Sequence, residues 1–290
     1  MAAGLLAFFI ALFASMMLVA PVRAFALRVG MVDLPGPRKV HHTPIPLLGG
    51  VAMYAAVVIA VLLALQGQVR TQIAGILIGA TLVAAVGTLD DRGWLHHQVK
   101  LFVGMPAAAG ILLLSGIRAQ VFGAILQGSV GVFLDVALTV LWVVGITASF
   151  SILDHMDGLC AGVAAMSSVF FALLAYLNGQ TLVTILAASV LGAATGFLRW
   201  NFKPAKIFMG DGGAMFLGFL MATLGLKLRV ENASHFSAWL APVLILGVAI
   251  FDTTLVTISR ARRRLLPFAA PGKDHAAHRL PISASAIGAP

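Results

Sequence analysis

Long apolar runs make up most of this chain, and they restrict its fold more than any other feature. A helix needs roughly 20 apolar residues to cross a bilayer. Nine stretches approach that length, at about 4–22, 47–65, 72–89, 99–115, 131–150, 158–177, 181–198, 213–230 and 237–258. In lipid, only helices and closed barrels satisfy the backbone N–H and C=O groups. We therefore predict an all-α polytopic membrane bundle of about nine transmembrane helices, with residues 1–290 forming one domain.

The basic residues are distributed unevenly among the loops. If the spans alternate in direction, fifteen Lys and Arg fall on one side of the membrane, whereas Arg70, Arg118, Lys227 and Arg229 fall on the other. Because cytoplasmic loops carry the excess of Lys and Arg, this predicts an N-terminus outside and a cytosolic C-terminus. The rule also accounts for the net charge of +9 without nucleic acid as a partner. The predicted cytosolic loops are about 28–46, 90–100, 151–158, 199–213 and 259–290.

Acidic residues also gather on the cytosolic side, which the rule for basic residues does not explain. Seven of the ten acids fall there, and nine of the ten are Asp. Asp90 and Asp91 are adjacent at the end of the third span, so their charges repel each other. The compensation must come from Arg92 and Lys100, or from a metal and its substrate. This pair is a candidate for acid–base or Mg²⁺ chemistry.

The segment 201–213, between two apolar runs, combines several groups that suit phosphate chemistry. Asp211 is flanked by glycines, so its carboxylate can reach a metal without crowding, and Lys203 and Lys206 can meet phosphate as point charges. Asn201 opens the segment and Pro204 breaks any helix there. A basic loop that only follows membrane topology is the alternative interpretation.

Two further cytosolic clusters are cationic. Both suit a diphosphate or a lipid phosphate, and the alternative is contact with anionic lipid headgroups. A zinc pair at His275 and His278 is disfavoured, because cysteine ligands and an adjacent acidic third ligand are missing. The clusters are Arg38, Lys39 and His41 in the first loop, and His275, His278 and Arg279 near the end.

Carboxylates close to or within apolar runs are the remaining candidates. If residues 154–157 are helical, Asp154 and Asp157 share one face, and Gly158 and Gly162 allow close helix packing. Such carboxylates are costly unless they are paired or functional. Asp252 lies inside the ninth span, where it can serve a function or neutralise a basic side chain of a neighbouring helix.

Four cytosolic motifs, in this order, resemble those of the polyprenyl-phosphate N-acetylhexosamine-1-phosphate transferases (glycosyltransferase family 4). The third is the most specific, and the resemblance covers about residues 30–280. The motifs are RKVHHTPIPLLGG from Arg38, LDDRGWLHHQVKL from Leu89, NFKPAKIFMGDGG from Asn201 and KDHAAHRL from Lys273.

The chain departs from the family pattern at several positions. Ala148 and Ser151 stand where the family commonly has Asn, His155 replaces a Gly, and Ala277 replaces the middle His of the last motif. The tenth span expected after that motif is missing. These departures concern the sugar specificity and the nucleotide contacts, and they leave the paired Asp residues and Asp211 in place.

The resemblance implies transfer of a sugar-1-phosphate from a UDP-sugar to undecaprenyl phosphate at the cytosolic face of a bacterial inner membrane. The product would be an undecaprenyl-diphosphate-sugar, with release of UMP, and would initiate a cell-envelope glycan. The expected cofactor is Mg²⁺, for which Mn²⁺ could substitute. Membrane lipid is an expected partner, and a homodimer is compatible with the sequence.

The same resemblance assigns roles to the candidate residues. Asp90, Asp91 and Asp211 are expected to be catalytic and to ligate the metal, with Asp211 as the main ligand. The expected substrate-binding residues are Arg38, Lys39, His41, Lys100, Asp154, Asp157, Asn201, Lys206, His275, His278 and Arg279.

Parts of the sequence are compatible with three other functions. A CDP-alcohol phosphatidyltransferase fits the Asp154–Ala161 segment, but Gly162 stands where that family has Arg. A transporter could use Asp135 and Asp252 as coupling sites, although most acids lie in the cytosolic loops. A catalytically inactive relative is the third, given the substituted Asn and His positions.

Overall fold

A computed structural model describes residues 1–35, 43–66, 68, 70–126, 128–230 and 235–263, apart from the side chains of His97 and residues 235–237. Six predicted site residues therefore lie outside the described part of the chain: Arg38, Lys39, His41, His275, His278 and Arg279.

The predicted all-α fold is confirmed, and each of the nine predicted spans overlaps one or more helices. A short antiparallel pair, β1 (Val32–Asp33) and β2 (Ile45–Pro46), joins the first two helices. The helices are α1 (Ala2–Arg28), α2 (Gly49–Ala64), α3 (Thr71–Asp91), α4 (His97–Val99), a π-helical turn (Lys100–Gly104), α5 (Met105–Leu114), α6 (Ser129–Leu153), α7 (Leu159–Leu177), α8 (Thr181–Asn201), α9 (Gly210–Lys227), α10 (His235–Ile245) and α11 (Gly247–Arg262).

The number of spans is a separate question from the number of helices. Among the described residues, five helices are long and apolar enough to cross a membrane, namely α1, α3, α6, α7 and α8. A sixth is reached if α10 and α11 together form one broken span. The chain is a polytopic membrane protein, and nine spans stay a prediction.

The ninth predicted span is not the single straight helix that the sequence suggested. It is divided at Leu246, where α10 and α11 meet at an angle of 70°. Pro242 lies inside α10 and Gly247 begins α11, and sharp bends in helices usually occur near such residues. Apolar periodicity alone does not reveal this bend.

Helix α9 is the central helix of the bundle. Every residue from Gly212 to Leu226 is buried, as expected for a helix that is apolar on all sides. It packs between α3 and α6 and also contacts α2. A Cβ on Gly79 would lie 2.4 Å from Phe219, and one on Gly218 would lie 2.7 Å from Thr147. Glycines therefore set how closely α3 and α6 approach α9.

Close helix packing also occurs between α1 and α8, at glycines different from those predicted. Cβ atoms on Gly192 and Gly196 would lie 2.2 Å from the carbonyl oxygen of Phe8 and 2.6 Å from that of Leu12. By contrast, a Cβ on Gly162 would have no neighbour within 4 Å, so its predicted packing role is wrong. Small residues four apart mark a close contact only where a helix lies opposite them.

The approach of α3 to the start of α9 gives a first prediction. A Cβ at Gly87 would lie 2.6 Å from the backbone carbonyl of Asp211, which a backbone atom cannot avoid easily. We expect Gly87→Ala to destabilise the protein by about 1–3 kcal/mol, measured as a lower thermal unfolding midpoint in detergent.

Gly145→Ala in α6 is the matched control. A Cβ there has no neighbour within 4 Å, and Ala is favoured over Gly in a helix by roughly 0.5–1 kcal/mol. The control should unfold at the same temperature as the unmodified protein or slightly above it. Equal midpoints for the two variants would contradict this account of α3 and α9.

Candidate active site

Three predicted aspartates meet at one end of the bundle. Asp90 and Asp91 are the last residues of α3, and Asp211 lies in the first turn of α9. The backbone N–H of Asp211 donates to Asp91 Oδ1 over 2.8 Å, and Lys100 forms ion pairs with both Asp90 and Asp211. The structure therefore brings together side chains that are 120 residues apart in the chain.

Lys100 is the positive charge at the centre of this group. Its Nζ lies 2.6 Å from Asp90 Oδ2, and it also donates to Asp211 Oδ2. It begins the π-helical turn, a deviation that occurs often at functional sites. The other predicted compensating cation, Arg92, instead donates to Met31 Sδ over 3.2 Å and lies 5.0 Å from the Trp94 ring centroid.

Asp91 caps the N-terminus of α9. Its Oδ1 and Oδ2 accept from the backbone N–H groups of Asp211, at 2.8 Å, and Gly212, at 3.2 Å. A carboxylate is favoured there because it satisfies orphan donors and lies at the positive end of the helix dipole. Gly210, the first residue of α9, has a φ of +70, and a Cβ there would lie 2.4 Å from Asp91 Oδ2. Only glycine fits that backbone next to that carboxylate.

Ser151 is a member of the site that the sequence did not assign. Its Oγ donates to Asp211 Oδ1 over 2.6 Å, so Asp211 is held by Ser151 on one oxygen and by Lys100 on the other. In the sequence, Ser151 stood out only as a departure from the family pattern. Its contact depends on how the end of α6 packs against α9, which no local signal indicates.

The segment between α6 and α7 is not helical. Asp154 and Asp157 are not on one helical face, because α6 ends at Leu153, and Gly158, with φ +73, precedes the start of α7. Asp157 Oδ2 accepts the backbone N–H of Ala205 over 3.0 Å. The shared face that a helix over 154–157 would give them is therefore not formed, and in this structure Asp157 fixes the loop after α8.

Asn201 is buried, with 3% of its surface exposed. Its Oδ1 accepts from the backbone N–H of Gly158 and its Nδ2 donates to the carbonyl of Ile207, each over 3.0 Å. Asn201 therefore joins the start of α7 to the loop before α9. Its predicted contact with a substrate stays a prediction.

The loop from residue 202 to 209 connects four elements around the aspartates. The N–H groups of Gly49 and Gly50, at the start of α2, donate to the carbonyls of Phe208 and Met209 over 2.9 and 3.0 Å. Phe208 N–H in turn donates to Pro46 in β2 over 2.9 Å. Because these bonds fix the loop backbone, they also fix where its lysines stand.

Lys206 lies on this loop with an exposed side chain. Its carbonyl accepts from Arg23 Nε of α1 over 3.0 Å, and its N–H donates to the Trp200 carbonyl over 2.8 Å. The backbone is thus anchored while the ammonium group is accessible to a ligand. This placement is compatible with the predicted role of Lys206 in phosphate binding.

The side chains around Lys100 include oxygen ligands of the kind that bind Mg²⁺. Among the described side chains, no three Asp, Glu, His or Cys are arranged to ligate one ion. Asp90 and Asp211 nevertheless face a common cation, Lys100 Nζ. Mg²⁺ is usually held by one or two carboxylates, with substrate phosphates and water completing its shell. The two carboxylates therefore fit Mg²⁺ when a phosphate ligand is present.

Comparison with known proteins places the chain in a family. The model of glycosyl transferase family 4 matches residues 73–229. A probable undecaprenyl-phosphate N-acetylglucosaminyl 1-phosphate transferase of Bacillus subtilis (strain 168) is 36% identical over 277 residues, 94% of this chain and 76% of that protein.

Two other relatives are also transferases by name. A decaprenyl-phosphate N-acetylglucosaminephosphotransferase of Mycobacterium tuberculosis (strain H37Rv) is 32% identical over 289 residues, 90% of this chain and 71% of that protein. A phospho-N-acetylmuramoyl-pentapeptide-transferase of Streptococcus pyogenes serotype M6 is 32% identical over 232 residues, 73% of this chain and 66% of that protein.

The fold and site define a polytopic membrane protein with a carboxylate and lysine cluster at one end of its bundle. The chain belongs to glycosyltransferase family 4, the polyprenyl-phosphate N-acetylhexosamine-1-phosphate transferases, which confirms the predicted resemblance.

The capping of α9 gives a second prediction. Asp91→Ala removes both acceptors of the Asp211 and Gly212 N–H groups, so we expect a loss of about 0.5–2 kcal/mol in stability. Asp91→Asn keeps one acceptor at a position where Asn also caps well, so its thermal midpoint should fall less. An alanine variant as stable as the unmodified protein would contradict the capping role.

The environment of Asp154 gives a third prediction. Burial, with the negative charges of Asp211, Asp91 and Asp157, raises the pKa of Asp154 to about 8. An Asp in an unfolded chain titrates near about 4, so the folded protein keeps a proton that the unfolded chain loses. This stabilising contribution is complete below about pH 4 and is lost as the pH rises through about 8.

The measurement is the thermal midpoint in EDTA at pH values from about 5 to about 9. We expect the midpoint to fall as the pH rises and the fall to be smaller in Asp154→Asn, whose side chain cannot ionise. Asp157→Asn is the control, since it removes a neighbouring carboxylate and leaves Asp154 able to ionise. If Asp154→Asn and the unmodified protein have equal slopes, Asp154 is not the group responsible.

Proposed function

We propose that this membrane transferase moves an N-acetylhexosamine-1-phosphate from a UDP-sugar to undecaprenyl phosphate. The products are an undecaprenyl-diphosphate-sugar, which initiates a cell-envelope glycan, and UMP. The observation that carries the proposal is the meeting of Asp90, Asp211 and Lys100 at one end of the bundle. A cluster with carboxylates and a lysine together suits a reaction between two phosphate-bearing substrates.

In this proposal, Asp90 and Asp211 hold Mg²⁺, or Mn²⁺ in its place, together with the donor diphosphate. The ion, when bound, screens the repulsion between the two substrates and the charge that develops on the leaving UMP. Asp91 keeps the N-terminus of α9 in place, and Ser151 orients Asp211. The protein thus presents fixed carboxylates rather than flexible ones.

Lys100 has two sets of partners in this scheme. In the structure its Nζ is bound to carboxylates, and a bound cation would release it to contact a substrate phosphate. The acceptor phosphate is largely ionised near neutral pH, because its second pKa is about 6, so the site needs little base catalysis. Orientation of the two substrates is then the main contribution of the protein.

The loop of residues 202–209 supplies the donor side of the site. Asp157 and Asn201 fix its backbone from within the bundle, and Lys206 extends from it. A lysine on an anchored backbone can meet a phosphate with little loss of conformational freedom. We assign Lys206 to the binding of the donor's diphosphate.

The orientation in the membrane follows from the basic residues at the two ends of the bundle. Arg23 donates to the carbonyl of Lys206 and Arg92 directly follows Asp91, so these three basic residues lie at the end that holds the aspartates. The positive-inside rule puts this end in the cytosol, so we propose a bacterial inner-membrane protein with its active site on the cytosolic side and its N-terminus outside.

A transporter was the alternative from another class of protein. One of its two candidate coupling residues, Asp135, accepts three backbone N–H bonds, from Val121, Phe122 and Gly123, over 2.8–3.0 Å. These bonds assign Asp135 to holding the segment before α6, at the end of the bundle away from Asp211. We therefore favour the transferase.

The fourth prediction tests the proposed reaction. The purified chain, given UDP-N-acetylglucosamine, undecaprenyl phosphate and Mg²⁺, should release UMP and form the lipid-linked sugar. Asp211→Asn should lower turnover by at least about 100-fold, the loss typical when a group that stabilises transition-state charge is removed. The variant should still elute as a single species in detergent.

Three controls accompany this assay. Gly145→Ala should retain turnover, EDTA should abolish it, and a panel of UDP-sugars should show which donor is used. Turnover in Asp211→Asn equal to that of the unmodified protein would refute the assignment of Asp211. If the unmodified protein releases no UMP with any donor, the proposed reaction itself is wrong.

A further inference from the structure

A second charged cluster lies at the opposite end of α9. Lys227 is the last residue of this helix, and Arg229 follows two residues later. Lys227 lies 16 residues beyond Asp211 and is therefore about 24 Å from it along the helix axis. The two cations line one cavity of about 300 Å³, together with Gln180 and the first turn of α8, Thr181–Val183. This cationic pocket is on the far side of the bundle from the aspartates.

The side chains and backbone around the pocket are held in place. Gln180 clamps the backbone of Arg229, accepting its N–H over 3.0 Å and donating to its carbonyl over 2.5 Å. Arg229 also donates to the Leu226 carbonyl and to Gln120 Oε1, each over 3.2 Å. The guanidinium is therefore ordered before any ligand arrives.

Every partner that these cations have in the described structure is electrically neutral. Lys227 Nζ donates to the amide oxygen of Gln72 over 2.6 Å, and the acceptors of the Arg229 guanidinium are an amide and a carbonyl. Among the described residues, neither cation forms an ion pair with a carboxylate. Asp135, an acid at this end, is occupied by backbone N–H groups. Within the described part of the chain, these two adjacent positive charges therefore have no compensating anion.

The surroundings of the pocket indicate where an anion would come from. Leu177, three residues before Gln180, is 67% exposed, and Leu240, beside Trp239 of the adjoining cavity, is 48% exposed. In a membrane protein, such exposed leucines contact acyl chains. A phospholipid can therefore place its phosphate in the pocket and its acyl chains on the leucines, whereas a soluble anion would not contact the apolar surface.

We propose that Lys227 and Arg229 bind the phosphate of an anionic phospholipid in the leaflet opposite the aspartate cluster. Arg229 offers a planar fork of N–H donors to the phosphate oxygens, and Lys227 adds a point charge. The backbone N–H groups of the first turn of α8, which has no side-chain cap, add positive potential. The site is independent of the transferase reaction, so either proposal can fail without the other.

The test measures lipid retention by the full chain in detergent micelles. Native mass spectrometry and thermal unfolding are recorded with added phosphatidylglycerol, with phosphatidylcholine and with inorganic phosphate. We expect phosphatidylglycerol to be retained and to raise the thermal midpoint, and the double variant Lys227→Gln with Arg229→Gln to lose retention by at least about tenfold. Phosphatidylcholine should be retained less, because its headgroup has no net charge.

The matched control is the double variant Arg70→Gln with Arg118→Gln. It removes two exposed cations at the same end of the bundle that do not line this cavity, and it should retain phosphatidylglycerol as the unmodified protein does. If both double variants lose phosphatidylglycerol retention equally, the retention depends on diffuse surface charge and the proposed site is wrong. A midpoint shift with inorganic phosphate as large as with phosphatidylglycerol would overturn its assignment to lipid.

A last variant concerns Glu231, which lies outside the described residues. If its carboxylate were the anion that Lys227 and Arg229 bind, Glu231→Gln would raise lipid retention by vacating the pocket. We expect no increase. An increase of about tenfold or more would replace the lipid by Glu231 as the natural occupant of the site.

Discussion

The ion pairs of Lys100 with Asp90 and Asp211 are the interaction on which the rest of this site depends. Carboxylates so close to one another, at the edge of an apolar bundle, repel strongly because little water is present to screen them. Lys100 offsets that repulsion, yet one lysine balances only one of the two negative charges of Asp90 and Asp211. A surplus of negative charge remains, which suits a divalent cation that arrives with its own phosphate ligands.

The geometry that permits these contacts is provided by glycine. A Cβ on Gly50 would lie 2.2 Å from the Cα of Gly213, and one on Gly87 would lie 2.6 Å from the carbonyl of Asp211. The starts of α2 and α9 and the end of α3 can therefore meet at one place. Because the helices approach so closely, the site tolerates little added side-chain volume. Substitutions at these glycines are therefore expected to change both the stability of the protein and the geometry of its aspartates.

Much of this arrangement could be predicted from the sequence. The all-α fold followed from the apolar runs, and Asp90, Asp91 and Asp211 could be placed on one side of the membrane because the basic residues of their loops are on that side. The cap formed by Asp91 could not be predicted, since it requires the spatial distance between α3 and α9. The contact of Ser151 with Asp211 was hidden for the same reason.

Local patterns failed where packing decides the outcome. Gly158 and Gly162 have the same spacing as Gly192 and Gly196, but only the second pair faces a neighbouring helix closely. The bend at Leu246 likewise falls inside an apolar run that continues on both sides of it.

We propose that Asp90 and Asp211 together hold a divalent ion. The most direct measurement is electron paramagnetic resonance of Mn²⁺ binding to the purified chain with UDP-N-acetylglucosamine present. We expect one bound ion per chain, with affinity reduced at least about tenfold in both Asp90→Asn and Asp211→Asn, and little changed in Asp157→Asn. If both of the first two variants bind Mn²⁺ as tightly as the unmodified protein, these carboxylates do not hold the ion.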